Sequence, residues 1–179
     1  MQLPGAKAKS EGKAGKVSIV STDPYPTGMK AVLCKLLGGL VGNRMTRILV
    51  GPAGVHYDFA ANNREQEAFG ILGNTSVTIH SKAKARLFAC GAYPPFSCEE
   101  DLRRLLLGLI VTAAEFDEES YSARIILDEK LLLSLTPNAS DKKVYWTIYE
   151  FVRSSGTRNI SRGCVVTSTN IEAVNNCIG

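Results

Sequence analysis

The stretch MKAVLCKLLGGLVGNRMTRILVGPAG, residues 29–54, changes its apolar period part-way along. Met29, Val32, Leu33, Leu36, Leu37, Leu40 and Val41 recur at helical spacing, on one stripe that leaves out Lys30 and Lys35. Thr27 is placed to cap this helix and Gly42-Asn43 to stop it. Gly38-Gly39 weakens the last turn by up to about 2 kcal/mol relative to Ala-Ala, and lets another backbone come close. Directly afterwards Met45–Val50 reads as a strand that ends in the turn Gly51-Pro52-Ala53-Gly54.

Working outward, strands dominate. Residues 55–70 fit either a strand with a loop or a strand with a short helix. From Val77 to Phe88, Val77, Ile79, Ala83, Ala85 and Leu87 alternate with Thr78, His80, Lys82, Lys84 and Arg86, which predicts one half-buried strand with a basic outer face. Tyr93-Pro94-Pro95-Phe96 is a stiff connector. Ser97-Cys98-Glu99-Glu100 matches a capping box and predicts a helix over about 98–114, although Gly108 and Ile110-Val111-Thr112 leave a strand open for its second half. Phe116-Asp117-Glu118-Glu119-Ser120 reads as an acidic turn. Strands at 122–127 and 131–135 form a hairpin across Asp128-Glu129-Lys130. Residues 144–152 are apolar on both sides, as a central strand should be, and a last strand covers 163–169. Two helices set among many strands give an α+β class. The expected architecture is a single compact domain over 17–179, with a mixed or antiparallel sheet and two packed helices.

Ahead of that domain, residues 1–16 are rich in Lys, Gly and Ala without an apolar period, which predicts a disordered arm. A short strand is expected at Lys16–Val20, then a turn through Pro24 and Pro26. The arm holds Lys7, Lys9, Lys13 and Lys16 against Glu11, so most of the chain's net charge of +4 lies there. Such an arm is drawn to anionic lipid or nucleic acid, and it also has a plain use as a solubilising tail. With 45% hydrophobic residues among 179, the remainder can bury a core. The N-terminal residues lack the apolar stretch of a secretory signal, no apolar run spans a bilayer, and Gln2 excludes myristoylation. An intracellular, soluble protein is the expectation. Cys34, Cys90, Cys98, Cys164 and Cys177 lack metal-site spacing and are expected to be buried free thiols.

The sequence offers little for catalysis. His56 and His80 belong to no HExxH pattern, and the Gly51–Gly54 turn is not followed by the Lys-Ser/Thr of a phosphate loop. Glu99, Glu100 and Asp101 suit the positive end of a helix as a solvated cap. Cys98 lies at that helix start and has no evident partner base for nucleophilic catalysis. The reading is therefore no catalytic residues, no metal and no cofactor. Interaction is better supported: Lys82, Lys84 and Arg86 can join Lys7, Lys9, Lys13 and Lys16 in one phosphate- or membrane-binding surface, although an ordinary solvated sheet face accounts for them too.

The layout resembles the matrix proteins of rhabdoviruses, in particular the short ones of plant-infecting members. The likeness covers about residues 16–150: a Lys/Gly-rich arm, Val17-Ser18-Ile19-Val20, a Pro-containing turn, the helix Met29–Val41 and the Gly-Pro-Ala-Gly turn. Arg103-Arg104, Gly108-Leu109 and the acidic Phe116–Ser120 follow. Pro24-Tyr25-Pro26 and Tyr93-Pro94-Pro95-Phe96 depart from the Pro-Pro-x-Tyr motif common in animal-infecting members. The resemblance implies a non-enzymatic virion structural protein that self-associates, binds the inner membrane face electrostatically and condenses the nucleocapsid during budding. Its implied places are the host cytoplasm, the peripheral membrane and the virion interior. The competing readings are a nucleic-acid-binding accessory protein, taking RNA or a single strand, and an enzyme of unrecognised type.

Overall fold

The change of period becomes a helix–strand boundary in the structure, a computed structural model that describes residues 27–61, 67–137, 145–154 and 157–174. Helix α1 runs from Thr27 to Leu40 and strand β1 from Asn43 to Gly51. Between them Gly42 adopts a left-handed φ of 85°, and the Asn43 side-chain amide donates to the carbonyls of Gly39 at 2.8 Å and Leu40 at 3.1 Å. Those carbonyls would otherwise end the helix unpartnered. Leu33, Leu36, Leu37 and Leu40 are fully buried, with Met29 and Val32 packed beside them. Val41 departs from the expected stripe: it lies past the helix end and is 45% exposed. Gly39 admits a ring where a backbone was expected, because Phe69 lies against it.

Two antiparallel sheets follow. The first is ordered β1, β2 (Gly54–Ala61), β3 (Glu67–Asn74), β9 (Tyr145–Ser154), β10 (Thr157–Val166), β11 (Ile171–Ala173). The second is ordered β5 (Arg86–Cys90), β4 (Ser76–Ser81), β8 (Leu131–Thr136), β7 (Ser122–Leu127), β6 (Val111–Asp117). Only Thr75 separates β3 from β4, so one extended run leaves the first sheet and enters the second. The sheets also meet where Arg44 bridges Ile110, just ahead of β6. Helix α1 packs on β6, β9, β10 and β11, and helix α2 (Cys98–Leu106) packs on β1. One buried cluster draws on both helices and both sheets, with Trp146, Tyr57 and Phe59 its largest members. The α+β class with two packed helices is borne out, and the sheets are antiparallel throughout.

Several boundaries differ from expectation, each for a local reason. The run 77–88 is a hairpin: Ser81 N–H donates to the Ala85 carbonyl at 2.8 Å, and Lys84 takes a left-handed φ of 61°. Lys82 and Lys84 therefore sit on a turn, and Ala85 and Leu87 are exposed where burial was expected. The second helix stops at Leu106, because Gly108 turns at φ 84° and the β-branched residues after it enter β6. Its capping box does not form, as Ser97 is itself helical and makes no side-chain cap bond. Glu99 is recruited to β1: its Oε2 accepts the Val50 N–H at 2.9 Å, and Arg103 Nε donates to the Ile48 carbonyl at 3.3 Å. Thus α2 satisfies backbone groups along a strand edge that would otherwise be left unpaired. Residues 55–70 contribute two strands, β2 and β3. The strand expected at 163–169 is β10, which begins earlier and ends at Val166, and the short β11 follows it. The predicted 122–127/131–135 hairpin and the central strand β9 are present as read. The expected disordered arm, the strand at 16–20 and the turn through Pro24 and Pro26 lie outside the described residues.

Candidate anionic-ligand surface

Cross-strand register assembles the outer face of the second sheet. Arg86 pairs with His80, His80 with Leu132, Leu132 with Ile126, and Ile126 with Ala113, a row that crosses all five strands. The next row inward is Ile79, Leu133 and Ile125 with their neighbours, and these three are fully buried. Period two in each strand thus sends one row to the core and the other outward. A third row, outward again, carries Thr78, Ser134, Arg124 and Glu115.

Two turns rise beside this face. The β4–β5 turn supplies Lys82 and Lys84. The β7–β8 turn supplies Glu129 and Lys130, with Asp128 and Glu129 at φ 48° and 55° and Lys130 N–H donating to the Leu127 carbonyl at 2.9 Å. Two positive φ angles in succession give the twist that a tight hairpin needs. The turns are joined, since Lys82 N–H donates to the Lys130 carbonyl at 2.7 Å. The second turn is also tied to β6: Asp128 Oδ1 accepts the Ile110 N–H at 2.9 Å and Thr112 Oγ1 accepts the Glu129 N–H at 3.2 Å. The open groove between them has a volume of about 800 Å³. His80, Lys82, Lys84, Arg124 and Lys130 line it, with Glu115 and Glu129 the only acids on its walls among the described residues and Leu131, Leu132, Ile126 and Ala113 its apolar part. Among the described residues, none of Lys82, Lys84, Arg124 and Lys130 has an ion-pair partner. Arg124 and Glu115 face one another in register without forming one.

Of the residues expected to bind phosphate or membrane, Lys82 and Lys84 reach this groove. Arg86 stands one strand over, opposite His80. Lys7, Lys9, Lys13 and Lys16 lie outside the described residues. Lys130 and Arg124 were missed in the sequence. Lys130 belonged visibly to a hairpin turn, but nothing local announces that β8 pairs with β4 and so delivers that turn to Lys82.

The polar groups considered for chemistry lie elsewhere. On the outer face of the first sheet, the Asp58 side chain is 1% exposed and receives Arg47 Nε at 2.7 Å on Oδ2. His56 Nε2 lies 3.1 Å from Asp58 Oδ1 and 2.7 Å from the Tyr149 hydroxyl. Both partners address the same ring nitrogen, so the trio is not a relay, in which the two nitrogens of the ring serve different partners. Tyr149 crosses directly over Gly70, where any Cβ would strike its ring. Cys98 neighbours Cys90, whose thiol is pushed up to about 11 by burial and, secondarily, by the Cys98 charge. Cys164 is pushed up to about 11 by burial alone. Cys34 is exposed, contrary to the expectation of burial, and Cys177 lies outside the described residues. Among the described residues, no cluster of His, Cys, Asp and Glu could hold a metal ion, and no helix is long and apolar enough to cross a membrane.

No protein family, curated protein or solved structure matches the chain.

Proposed function

We propose that this chain is a non-enzymatic, matrix-type structural protein that attaches peripherally to an anionic membrane face. In this reading it self-associates and condenses a viral nucleocapsid during assembly and budding, working in the host cytoplasm and inside the virion. The observation that carries the attachment is the groove of the second sheet, where Lys82, Lys84, Lys130 and Arg124 gather without ion-pair partners among the described residues. Cations near an acidic bilayer each contribute roughly 1 kcal/mol. Four on one surface, added to the four lysines at positions 7, 9, 13 and 16, give reversible binding that an array of copies multiplies.

The alternative, a module for RNA or single-stranded nucleic acid, draws on the same charge. What favours lipid is the apolar part of the groove's lining, which is aliphatic. Nucleic-acid surfaces of this kind stack successive bases on several aromatic rings, and this lining offers His80 alone beside Leu131, Leu132, Ile126 and Ala113.

Vesicle co-sedimentation of the full chain tests the reading, with neutral and anionic vesicles at low and moderate salt. Two variants accompany it, one with Lys82, Lys84 and Lys130 changed to Gln, the other with Lys7, Lys9, Lys13 and Lys16 changed to Gln. Binding should require anionic lipid, weaken with salt and fall in both variants. Absence of vesicle binding, together with salt-sensitive retention of single-stranded RNA, would replace this reading with the nucleic-acid one.

A further inference from the structure

A surface that merely carries charge needs no groove, and this one has a shaped, half-apolar interior. We propose that the groove takes one anionic membrane lipid, with its phosphate among Lys82, Lys84 and Lys130 and an acyl chain laid along Leu132, Ile126 and Ala113. The proposal rests on the reading of this face as the one that meets the membrane, and makes it a site for a single molecule.

Register supplies the first argument. Leu132, Ile126 and Ala113 are direct cross-strand neighbours on β8, β7 and β6, so they form one continuous strip. At about 4.8 Å per strand the strip is roughly 10 Å long. Its side chains are only half-buried, on a face where alternation normally places polar residues. Polar residues flank the strip on both sides: Arg124 and Glu115 from the outward row, and the two lysine-bearing turns opposite. An apolar floor between charged walls complements a molecule with an apolar chain and a charged head.

The sign of the head follows from the walls. Lysines and arginine outnumber the acids four to two among the lining residues, and none of the four is neutralised by an ion pair with another described residue. Lysine ammonium groups act as point charges suited to phosphate, which offers several acceptor oxygens. The turns that carry them are held in place: Lys82 to Lys130 by a main-chain bond, Lys84 by its N–H to the Ser81 carbonyl at 2.8 Å, and Ala85 N–H to Ser81 Oγ at 3.2 Å. Backbones fixed beforehand lose less entropy when a ligand arrives. The volume of about 800 Å³ falls within the roughly 300–1,000 Å³ usual for sites that hold one small molecule.

The probe is lysophosphatidic acid below its micelle concentration, titrated into the full chain and followed by calorimetry and by amide and methyl resonances. Inorganic phosphate and a lysophosphatidylcholine of the same acyl chain are the comparison ligands. Saturable one-to-one binding is expected, with shifts at Lys82 and Lys130 amides and at Leu132 and Ile126 methyls. Lys82→Gln with Lys130→Gln should weaken it at least about tenfold, and so should Leu132→Ser, while thermal midpoints stay close to that of the unchanged protein. Inorganic phosphate binding as tightly as lysophosphatidic acid would remove the acyl chain from the proposal. Equal binding of the choline lipid, whose phosphate charge is balanced by its own ammonium group, would remove the selection for a net negative head, and either result overturns the site. If anionic vesicles bind and lysophosphatidic acid does not saturate, the single-lipid site fails and the surface attachment stands. If lysophosphatidic acid saturates and vesicles do not bind, the attachment fails and the site stands.

Discussion

The Lys82 amide and the Lys130 carbonyl, 2.7 Å apart, join two hairpin turns separated by 48 positions in the chain. This bond sets the spacing of the cations on one wall of the groove, so the side chains and the backbone of Lys82 have separable roles.

Lys82→Gln should leave the thermal midpoint nearly unchanged, since an exposed turn side chain contributes little to stability. It should weaken binding to anionic vesicles and flatten its salt dependence. Lys82→Pro removes the donor as well, and should lower stability by about 1–3 kcal/mol. Calorimetric midpoints and co-sedimentation of the two variants separate these effects; equal midpoints would deny the main-chain bond any structural role.

Gly38 and Gly39 are adjacent on α1 and should respond to alanine in opposite directions. At Gly38 an added Cβ meets nothing within 4 Å, so Gly38→Ala gains helix propensity of about 1 kcal/mol. At Gly39 the same atom would stand 2.7 Å from Phe69 Cζ, on a ring that is 92% buried by its neighbours. Overpacking of this kind costs about 1–3 kcal/mol and outweighs the propensity gain. Denaturant melts should show Gly38→Ala more stable and Gly39→Ala less stable than the unchanged protein, with Phe69→Leu reducing the Gly39→Ala deficit.

These two sites also mark what the sequence could and could not disclose. The apolar period located α1, β9 and the β7–β8 hairpin, because each reports on its own stretch of chain. Alternation misled at 77–88, where two strands of a hairpin kept an apparent period of two across the turn at Ser81–Ala85. The capping pattern at Ser97 marked the start of α2 at Cys98, although Ser97 is itself helical and makes no side-chain cap bond. The groove was legible only by half. Lys82 and Lys84 stood out as a cluster, while Lys130 and Arg124 arrive through the pairing of β4 with β8 and β8 with β7, which is a property of the assembled sheet. Likewise no local signal places Asp58, Arg47 and Tyr149 around His56.

Tyr57 is fully buried and its hydroxyl has no hydrogen-bond partner among the described residues. Burial raises its phenol far above the ordinary tyrosine range, with the Cys90 charge adding to the effect. A hydroxyl taken out of water without a partner opposes folding, by about 1–3 kcal/mol in protein mutational data. Tyr57→Phe keeps the ring and drops the hydroxyl, so it should stabilise the fold by about 1 kcal/mol, a rise of roughly 2–4 °C in thermal midpoint for a chain of this size. A fall in midpoint would mean that the hydroxyl is satisfied in solution.

The two raised thiols give stability a definite alkaline dependence. Cys90 and Cys164 ionise at about 9 when unfolded and at about 11 in the fold, burial being the main cause at Cys90 and the sole cause at Cys164. Above pH 9 the unfolded chain therefore releases thiol protons that the folded chain retains. Fewer protons on the unfolded state means stability falls as pH rises. The contribution is complete below pH about 9, declines between about 9 and 11, and is gone beyond the folded values. Lysine and tyrosine titrate in the same window, so the midpoint of the unchanged protein alone is not diagnostic. The difference between it and Cys164→Ala is. Cys164→Ala should be less stable at pH 7, because a buried side chain is truncated, and its deficit should shrink as pH rises from 9 to 11. Thermal melts of both proteins across that range, under reducing conditions, measure the difference directly; a deficit constant with pH would show that the Cys164 thiol titrates alike in the folded and unfolded chain.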